Sequence, residues 1–136
     1  MRIYFDYNAT SPPAPEVVAT INHVLGSEFG NASSVHAFGQ RAKAVLDDAR
    51  ASVARLIDAD PSEIVLTSGG TEADNLAIRG AADALEPTGR RRILTTGIEH
   101  EAVLNTIKAL ERRGWTARAL SVAETGVLGE DAFRAA

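Results

Sequence analysis

The clearest structural pattern in the chain lies at residues 92–122, which read RILTTGIEHEAVLNTIKALERRGWTARALSV. Short runs of β-branched and other apolar residues at 92–96 and 115–122 predict two strands. The segment between them, 99–113, is long enough for a helix and carries several apolar side chains. Gly114 follows it directly and is typical of the position at which a helix ends. Strand, helix and strand in this order predict a right-handed crossover between parallel strands.

The same alternation extends towards the N-terminus. Residues 63–67 predict another short strand, and residues 71–85, which are rich in alanine and leucine, predict the helix that follows it. A long helix is expected at 35–57, because the apolar side chains there recur at steps of three and four. A shorter helix is expected at 15–25, since Pro15 suits a first helical turn.

Three parallel strands that alternate with helices predict an α/β fold. Parallel sheets are normally covered on both faces, and a sheet of three strands leaves its edges open. A further helix is predicted from Gly129, and it reaches residue 136 without a stop signal. We therefore expect the chain to be the front portion of a larger α/β fold.

Composition and charge exclude several classes of protein. Of the 136 residues, 45% are apolar and 24% are charged, which is typical of a soluble globular domain. The net charge of -4 favours neither nucleic acid nor an anionic membrane as a partner. The chain has no cysteine, which excludes disulfides and thiolate metal sites, and neither His23 nor His36 is expected to bind a metal. Without a signal-like start or an apolar run of about 20 residues, the expected location is the cytoplasm.

The turn at residues 68–71, Ser-Gly-Gly-Thr, is the first candidate site. It joins a predicted strand to a predicted helix, and open α/β sheets bind ligands beyond the carboxyl ends of their strands. Two glycines allow a ligand to approach the backbone, and the helix start offers N–H groups and a positive dipole end to a phosphate. The same residues are equally compatible with a tight turn in which Thr71 is an N-cap supported by Asp74.

His100 is the second candidate. It follows the strand at 92–96 and opens the next helix, so it is expected at the same edge of the sheet as Thr71. A lone histidine at a helix start is also typical of a solvated or capping residue.

Four separated motifs resemble those of the cysteine desulfurases, which belong to the class V aminotransferase group of pyridoxal-phosphate (PLP) enzymes. The motifs are TSGGTEADN at 67–75, IEHEAVL at 98–104, YFDYNATSP at 4–12 and GNASSVH at 30–36. Two positions differ from the family pattern, since Ser11 replaces a threonine and Ala32 replaces a proline. The resemblance covers almost the whole chain and implies the front portion of the large domain of a fold-type I PLP-dependent transferase. Residues 1–34 would then be an arm, a short helix and a loop, and residues 35–136 a partial PLP-binding domain.

The resemblance also implies roles for single residues. In the family, the positions that match Gly70 and Thr71 bind the cofactor phosphate through main-chain N–H groups and the hydroxyl. The position that matches His100 stacks on the pyridine ring and moves protons, and a helix N-terminus would favour the neutral imidazole for this catalytic role. The residues expected to line the substrate site are Asn8, Ala9 and Thr10.

The activity implied by the resemblance is that of a cysteine desulfurase. Such an enzyme removes sulfur from L-cysteine and leaves L-alanine. It passes the sulfur, held as an enzyme persulfide, to an acceptor or scaffold protein for iron–sulfur or thio-cofactor assembly, and it works as a homodimer. The family's Schiff-base lysine has no counterpart here, because Lys43 and Lys108 fall inside predicted helices, and its nucleophilic cysteine is absent. We therefore expect these 136 residues alone to complete no catalytic cycle.

Other functions remain open at this point. Within class V, a selenocysteine lyase or a serine transaminase would share the fold, although Asp74-Asn75 and the EHEAVL segment favour the desulfurase. A plain phosphate-binding module would use the turn at 68–71 without PLP. A non-catalytic interaction fragment would instead associate through its N-terminal arm.

Overall fold

The computed structural model describes residues 3–136, so the first two residues of the predicted arm lie outside the described residues. The chain forms two compact units, Met1–Leu66 and Thr67–Ala136. The division into an arm at 1–34 and a partial cofactor domain at 35–136 stays a prediction.

The first unit contains two long helices. Helix α1 spans Pro15–Ser27 and helix α2 spans Ala37–Leu56. Both confirm the helices predicted from the proline and from the spacing of apolar residues. The start of α2 is capped by His36, whose Nδ1 accepts a hydrogen bond from the N–H of Gly39 at 3.3 Å.

The loop before α2 packs closely against the first turn of that helix. A Cβ atom on Gly39 would lie 2.3 Å from the carbonyl oxygen of Ser34 and 2.7 Å from that of Asn31. A Cβ atom on Gly30 would lie 2.5 Å from the carbonyl oxygen of Phe38. Because real Cβ atoms do not approach this closely, both positions require glycine.

The second unit is built on two parallel strands. Strand β1 spans Arg92–Thr96 and strand β2 spans Thr116–Leu120, with Arg92 opposite Thr116. This confirms the parallel pairing predicted for the segment 92–122. Three helices accompany the strands, namely α3 at Gly70–Leu85, α4 at Glu101–Glu111 and α5 at Glu130–Arg134. Gly114 has a φ of 89°, the left-handed conformation expected where a helix ends in glycine.

The core of the second unit forms around Trp115, which precedes β2. Trp115 packs with Ala82 from α3 and Leu110 from α4, and both are buried. Ile93 of β1 packs against this cluster. The apolar faces of the two helices and the strands therefore meet, and this contact sets the position of α3 relative to α4.

The strand predicted at residues 63–67 is not formed. Residues Pro61–Glu63 make a 3-10 helical turn with a capping box, in which Asp60 accepts from the N–H of Ser62 and Glu63 accepts from the N–H of Asp60. Residues 64–67 lack a partner strand within the described part of the chain. Extended residues become a strand only when a neighbour pairs with their backbone groups, so the sheet of residues 3–136 has two strands and not three.

Along residues 3–136, no helix combines the length and the apolar character that crossing a membrane requires.

Candidate functional site

The first turn of α3 presents backbone N–H groups that the helix itself does not use. Ala73 makes the first bond of this helix, from its N–H to the carbonyl oxygen of Gly69 at 3.0 Å. The N–H groups of Gly70, Thr71 and Glu72 precede that bond and therefore have no carbonyl partner inside the helix. These three donors lie together at the positive end of a 16-residue helix.

Thr71 does not cap this helix, so the alternative in which Thr71 and Asp74 form the cap is wrong. The N-cap position belongs to Gly69. The turn is stabilised by Glu72, whose Oε2 accepts from the Oγ of Ser68 at 2.6 Å and from its N–H at 2.7 Å. These hydrogen bonds, above all that from the hydroxyl, lower the pKa of Glu72. The Thr71 hydroxyl is therefore not used as a cap.

The space beside the two glycines is open. A Cβ atom built on Gly69 or on Gly70 would meet no atom within 4 Å. Packing within the described residues therefore does not require glycine here, in contrast to Gly39. The open space leaves the backbone of the turn accessible to a ligand, and the donors around it suit a phosphate.

His100 is the N-cap of α4. Its Nδ1 accepts a hydrogen bond from the N–H of Ala102 at 3.1 Å. An accepting Nδ1 carries a lone pair, so in the neutral imidazole the ring proton is on Nε2. The side chain is exposed. The capping role predicted as an alternative is thus present, and it leaves the faces of the ring and Nε2 free for a second role.

Thr71 and His100 line the same groove, which lies between α3 and α4 and has a volume of about 400 Å³. The structure therefore brings together two residues that come from separate sequence motifs. Gly70 precedes Thr71 directly but does not line the groove. Among the other lining residues are Asn75 and Thr106.

Asn75 and Thr106 connect the two helices, and their roles were not predicted from the sequence. The Nδ2 of Asn75 donates to the carbonyl oxygen of Thr71 at 2.9 Å, and its Oδ1 accepts from the Oγ1 of Thr106 at 2.7 Å. Thr106 is only 2% exposed. The available signal was the position of Asn75, four residues after Thr71, which places both on one face of α3.

Asn8, Ala9 and Thr10 lie in the first unit. Asn8 and Ala9 lie within a turn and Thr10 follows it, and the N–H groups of Ala9 and Thr10 donate to the carbonyl oxygen of Asp6 at 3.1 and 3.3 Å. The Tyr4 hydroxyl donates a hydrogen bond to the Thr10 carbonyl oxygen at 3.1 Å, and this bond supports the turn. All three residues are exposed. Their place beside a substrate stays a prediction.

The two lysines lie inside helices, as predicted. Lys43 is in α2, where it forms an ion pair with Asp47, and Lys108 is in the last turn of α4. Within residues 3–136, no three histidine, aspartate or glutamate side chains are grouped as a metal site would require.

The chain matches a family model and a set of named proteins. The family model described as Aminotransferase class-V matches residues 3–136. Cysteine desulfurase IscS of Dechloromonas aromatica is 47% identical over 137 residues, which cover 100% of this chain and 34% of that protein.

Solved structures agree with this match. A NifS-like protein superposes with a TM-score of 0.91 at 35% identity, covering 99% of this chain and 37% of that one. A structure described as SspA in complex with cysteine superposes with a TM-score of 0.87 at 34% identity, covering 98% of this chain and 38% of that one. These matches confirm the predicted α/β fold. The chain spans about a third of the length of the curated relatives that it matches.

Proposed function

The chain belongs to the class V aminotransferase family, and on that premise we propose that it forms the phosphate-binding and ring-binding part of the PLP site of a cysteine desulfurase. The observation that carries the proposal is that Thr71 and His100 line one groove. Each lies at the first turn of its helix, so the two helix starts face the same space.

The start of α3 has the donors that a phosphate requires. The N–H groups of Gly70, Thr71 and Glu72 would hold the cofactor phosphate together with the Thr71 hydroxyl. The carboxylate of Glu72 is held by Ser68. This contact stabilises the turn without using the three N–H groups, so they remain available to the phosphate.

The start of α4 has the group that a cofactor ring requires. We infer that the exposed ring of His100 stacks on the pyridine ring, in an orientation set by the hydrogen bond from Ala102 to Nδ1. The proton on Nε2 is then available for exchange with a bound substrate. When bound, PLP supplies an electron sink for bond breaking at the carbon atoms of an amino acid.

For the whole protein, we propose the removal of sulfur from L-cysteine, which leaves L-alanine. The name of the relative from Dechloromonas aromatica supports this reaction, and the cysteine complex of the SspA structure supports the substrate. A persulfide would carry the sulfur to an acceptor or scaffold protein. The arm residues Asn8, Ala9 and Thr10 would line the substrate site in a cytoplasmic homodimer.

Cofactor titration tests this proposal. The protein is expressed from its complete reading frame, stripped of cofactor and titrated with PLP, with Thr71→Ala and Thr88→Val as variants. Thr71→Ala should weaken PLP binding by about tenfold, since it removes one hydrogen bond to a charged group. Thr88→Val is the matched control, because its hydroxyl donates only to the nearby carbonyl of Leu85.

The same titration separates PLP from simpler ligands. Equal affinity for inorganic phosphate and PLP would favour a plain phosphate-binding module. A Thr71→Ala variant that binds PLP as tightly as the unmodified protein would contradict the proposed site. Release of alanine from L-cysteine by the full-length protein, together with sulfide when an added thiol reduces the enzyme persulfide, would distinguish a desulfurase from a serine transaminase.

A further inference from the structure

A buried hydrogen bond connects the two helices whose first turns line the groove. Thr106 of α4 is 2% exposed, and its Oγ1 donates to the Oδ1 of Asn75 in α3 at 2.7 Å. A threonine inside a helix can instead donate to the carbonyl four residues earlier, here that of Ala102. The hydroxyl of Thr106 thus makes a contact between helices in place of a contact within its own helix.

The second hydrogen bond of Asn75 gives its amide one orientation. The Nδ2 lies 2.9 Å from the carbonyl oxygen of Thr71. A carbonyl oxygen can only accept, so the atom that faces it must be the amide nitrogen, and the Oδ1 must face Thr106. A side chain at position 75 must therefore donate towards Thr71 and accept from Thr106 at once, which neither aspartate nor an apolar residue can do.

These two bonds connect the Thr71 carbonyl to Thr106, and the backbone of α4 connects Thr106 to the turn at His100. Thr71 is the second residue of α3, and Asn75 lies one turn later. Thr106 lies in α4, the helix that begins at the His100 cap. The phosphate and the ring belong to one small molecule, so the distance between the two turns must match the distance between those groups. A change of about 1 Å in the distance between the two turns would therefore weaken cofactor binding considerably.

We propose that Asn75 and Thr106 are positioning residues. They hold the first turn of α3, which carries Thr71, at a set distance from the first turn of α4, which His100 caps. This inference rests on the proposed PLP site. Neither residue needs to touch the cofactor, because each acts through the turn that it holds.

The experiment compares Thr106→Val with Thr106→Ser in the protein expressed from its complete reading frame. Valine keeps the shape of the side chain and removes the hydroxyl, whereas serine keeps the hydroxyl. PLP affinity is measured on cofactor-free protein at a temperature well below its unfolding transition. We expect Thr106→Val to weaken PLP binding by about tenfold and Thr106→Ser to restore it. Thr88→Val, which removes a hydroxyl from the same unit, should leave the affinity unchanged.

A second measurement needs no cofactor. Amide hydrogen exchange is followed at Ala73 and Val103, whose N–H groups make the first hydrogen bonds of α3 and α4 to Gly69 and His100. In the cofactor-free protein, Thr106→Val should speed exchange at both amides more than at amides elsewhere in the two helices. Asn75→Ala should do the same, and it leaves the Thr106 hydroxyl free to bond within α4, so that variant should fold even if Thr106→Val does not.

A double-mutant cycle distinguishes positioning from general support of the fold. If Thr106 acts through Thr71, then Thr106→Val should weaken PLP binding less in the Thr71→Ala background than in the unmodified protein. Additive effects would overturn the inference. The inference would also be overturned if Thr106→Val lowered the melting temperature, left the PLP affinity unchanged and altered amide hydrogen exchange equally along both helices. A protein that binds no PLP but shows the local change in exchange would contradict the proposed site and support the connection between the two turns.

Discussion

At the scale of single residues, glycine serves two different purposes in this chain. Gly39 is required by packing, since a Cβ atom there would lie 2.3 Å from the carbonyl oxygen of Ser34. Gly70 has open space around it, so its small size matters only if something else approaches the backbone. The sequence marks both positions as glycine and cannot separate these two reasons, because only the folded neighbours distinguish them.

Replacing Gly39 by alanine tests the packing of this loop. Gly39→Ala should reduce the free energy of unfolding by about 1–3 kcal/mol, because the new methyl group overlaps the Ser34 and Asn31 carbonyls and the loop must shift. Gly26→Ala is the control, since nothing lies within 4 Å of a Cβ atom at that position in α1. It should be neutral or slightly stabilising, as alanine is the better helix former. Urea unfolding measures both variants, and equal stabilities would contradict the close packing.

At the scale of helices and strands, the positions at which α3 and α4 begin agree well with the predictions, whereas the side chains that stabilise those starts agree less well. The predicted helices at 71–85 and 99–113 begin within two residues of the starts of α3 and α4. The residue that stabilises the start of α3 was not predicted, since Glu72 reaches back to Ser68 from inside the helix. The cap of α4 by His100 was among the predicted alternatives, although serine, threonine, aspartate and asparagine are the usual caps.

The start of α3 should respond to acid through Glu72. Its pKa is lowered by the hydrogen bonds from Ser68, so the stabilisation is present above the ordinary glutamate pKa of about 4.3 and is lost as the pH falls through the lower pKa of the folded state. Glu72→Gln should therefore be less stable than the unmodified protein near neutral pH. The difference should shrink below about pH 4.

Unfolding free energies measured across this acid range test the effect. Ser68→Ala removes the hydroxyl that lowers the pKa of Glu72 most, so it should lose much of the same pH dependence while retaining the carboxylate. Parallel curves for Glu72→Gln and the unmodified protein over the whole range would show that the ionisation of Glu72 does not stabilise the folded protein and would contradict the prediction.

At the scale of the whole molecule, the groove contains only part of what the proposed reaction requires. In the proposed site, Thr71 and His100 would contact a phosphate and a ring, but both lysines lie within helices and the chain has no cysteine. The proposed chemistry needs a lysine to hold PLP covalently and a thiolate to accept sulfur. The relatives are about three times as long as this chain, so we propose the activity for a protein of that length and not for these 136 residues alone.

The 136 residues alone should therefore not turn over L-cysteine. Incubation with PLP and L-cysteine should release no sulfide or alanine beyond the slow reaction of free PLP with the amino acid, measured without protein. Thr71→Ala provides a further control, because any rate that depends on the groove should fall in this variant. Catalytic release that exceeds the protein-free rate and falls in Thr71→Ala would contradict the prediction.

Local features of the sequence were sufficient to predict the helices α1 to α4 and the parallel pairing of β1 with β2. Pro15 indicated α1, and the apolar residues and composition of the later segments indicated the other elements. Periodicity reflects neighbours along the chain, and a helix satisfies its backbone groups from those neighbours alone. The motifs around Thr71 and His100 likewise indicated a site because their residue types and order are local features of the sequence.

Features that depend on distant partners became clear only in the folded molecule. Residues 63–67 have the composition of a strand, yet a strand needs a partner, and none lies beside them within residues 3–136. The bond from Thr106 to Asn75 joins residues 31 positions apart. No local pattern specifies such a pair, since packing around Trp115 and Leu110 first has to bring α3 against α4. Hydrophobic packing thus brings residues of two separate sequence motifs together in the lining of one groove.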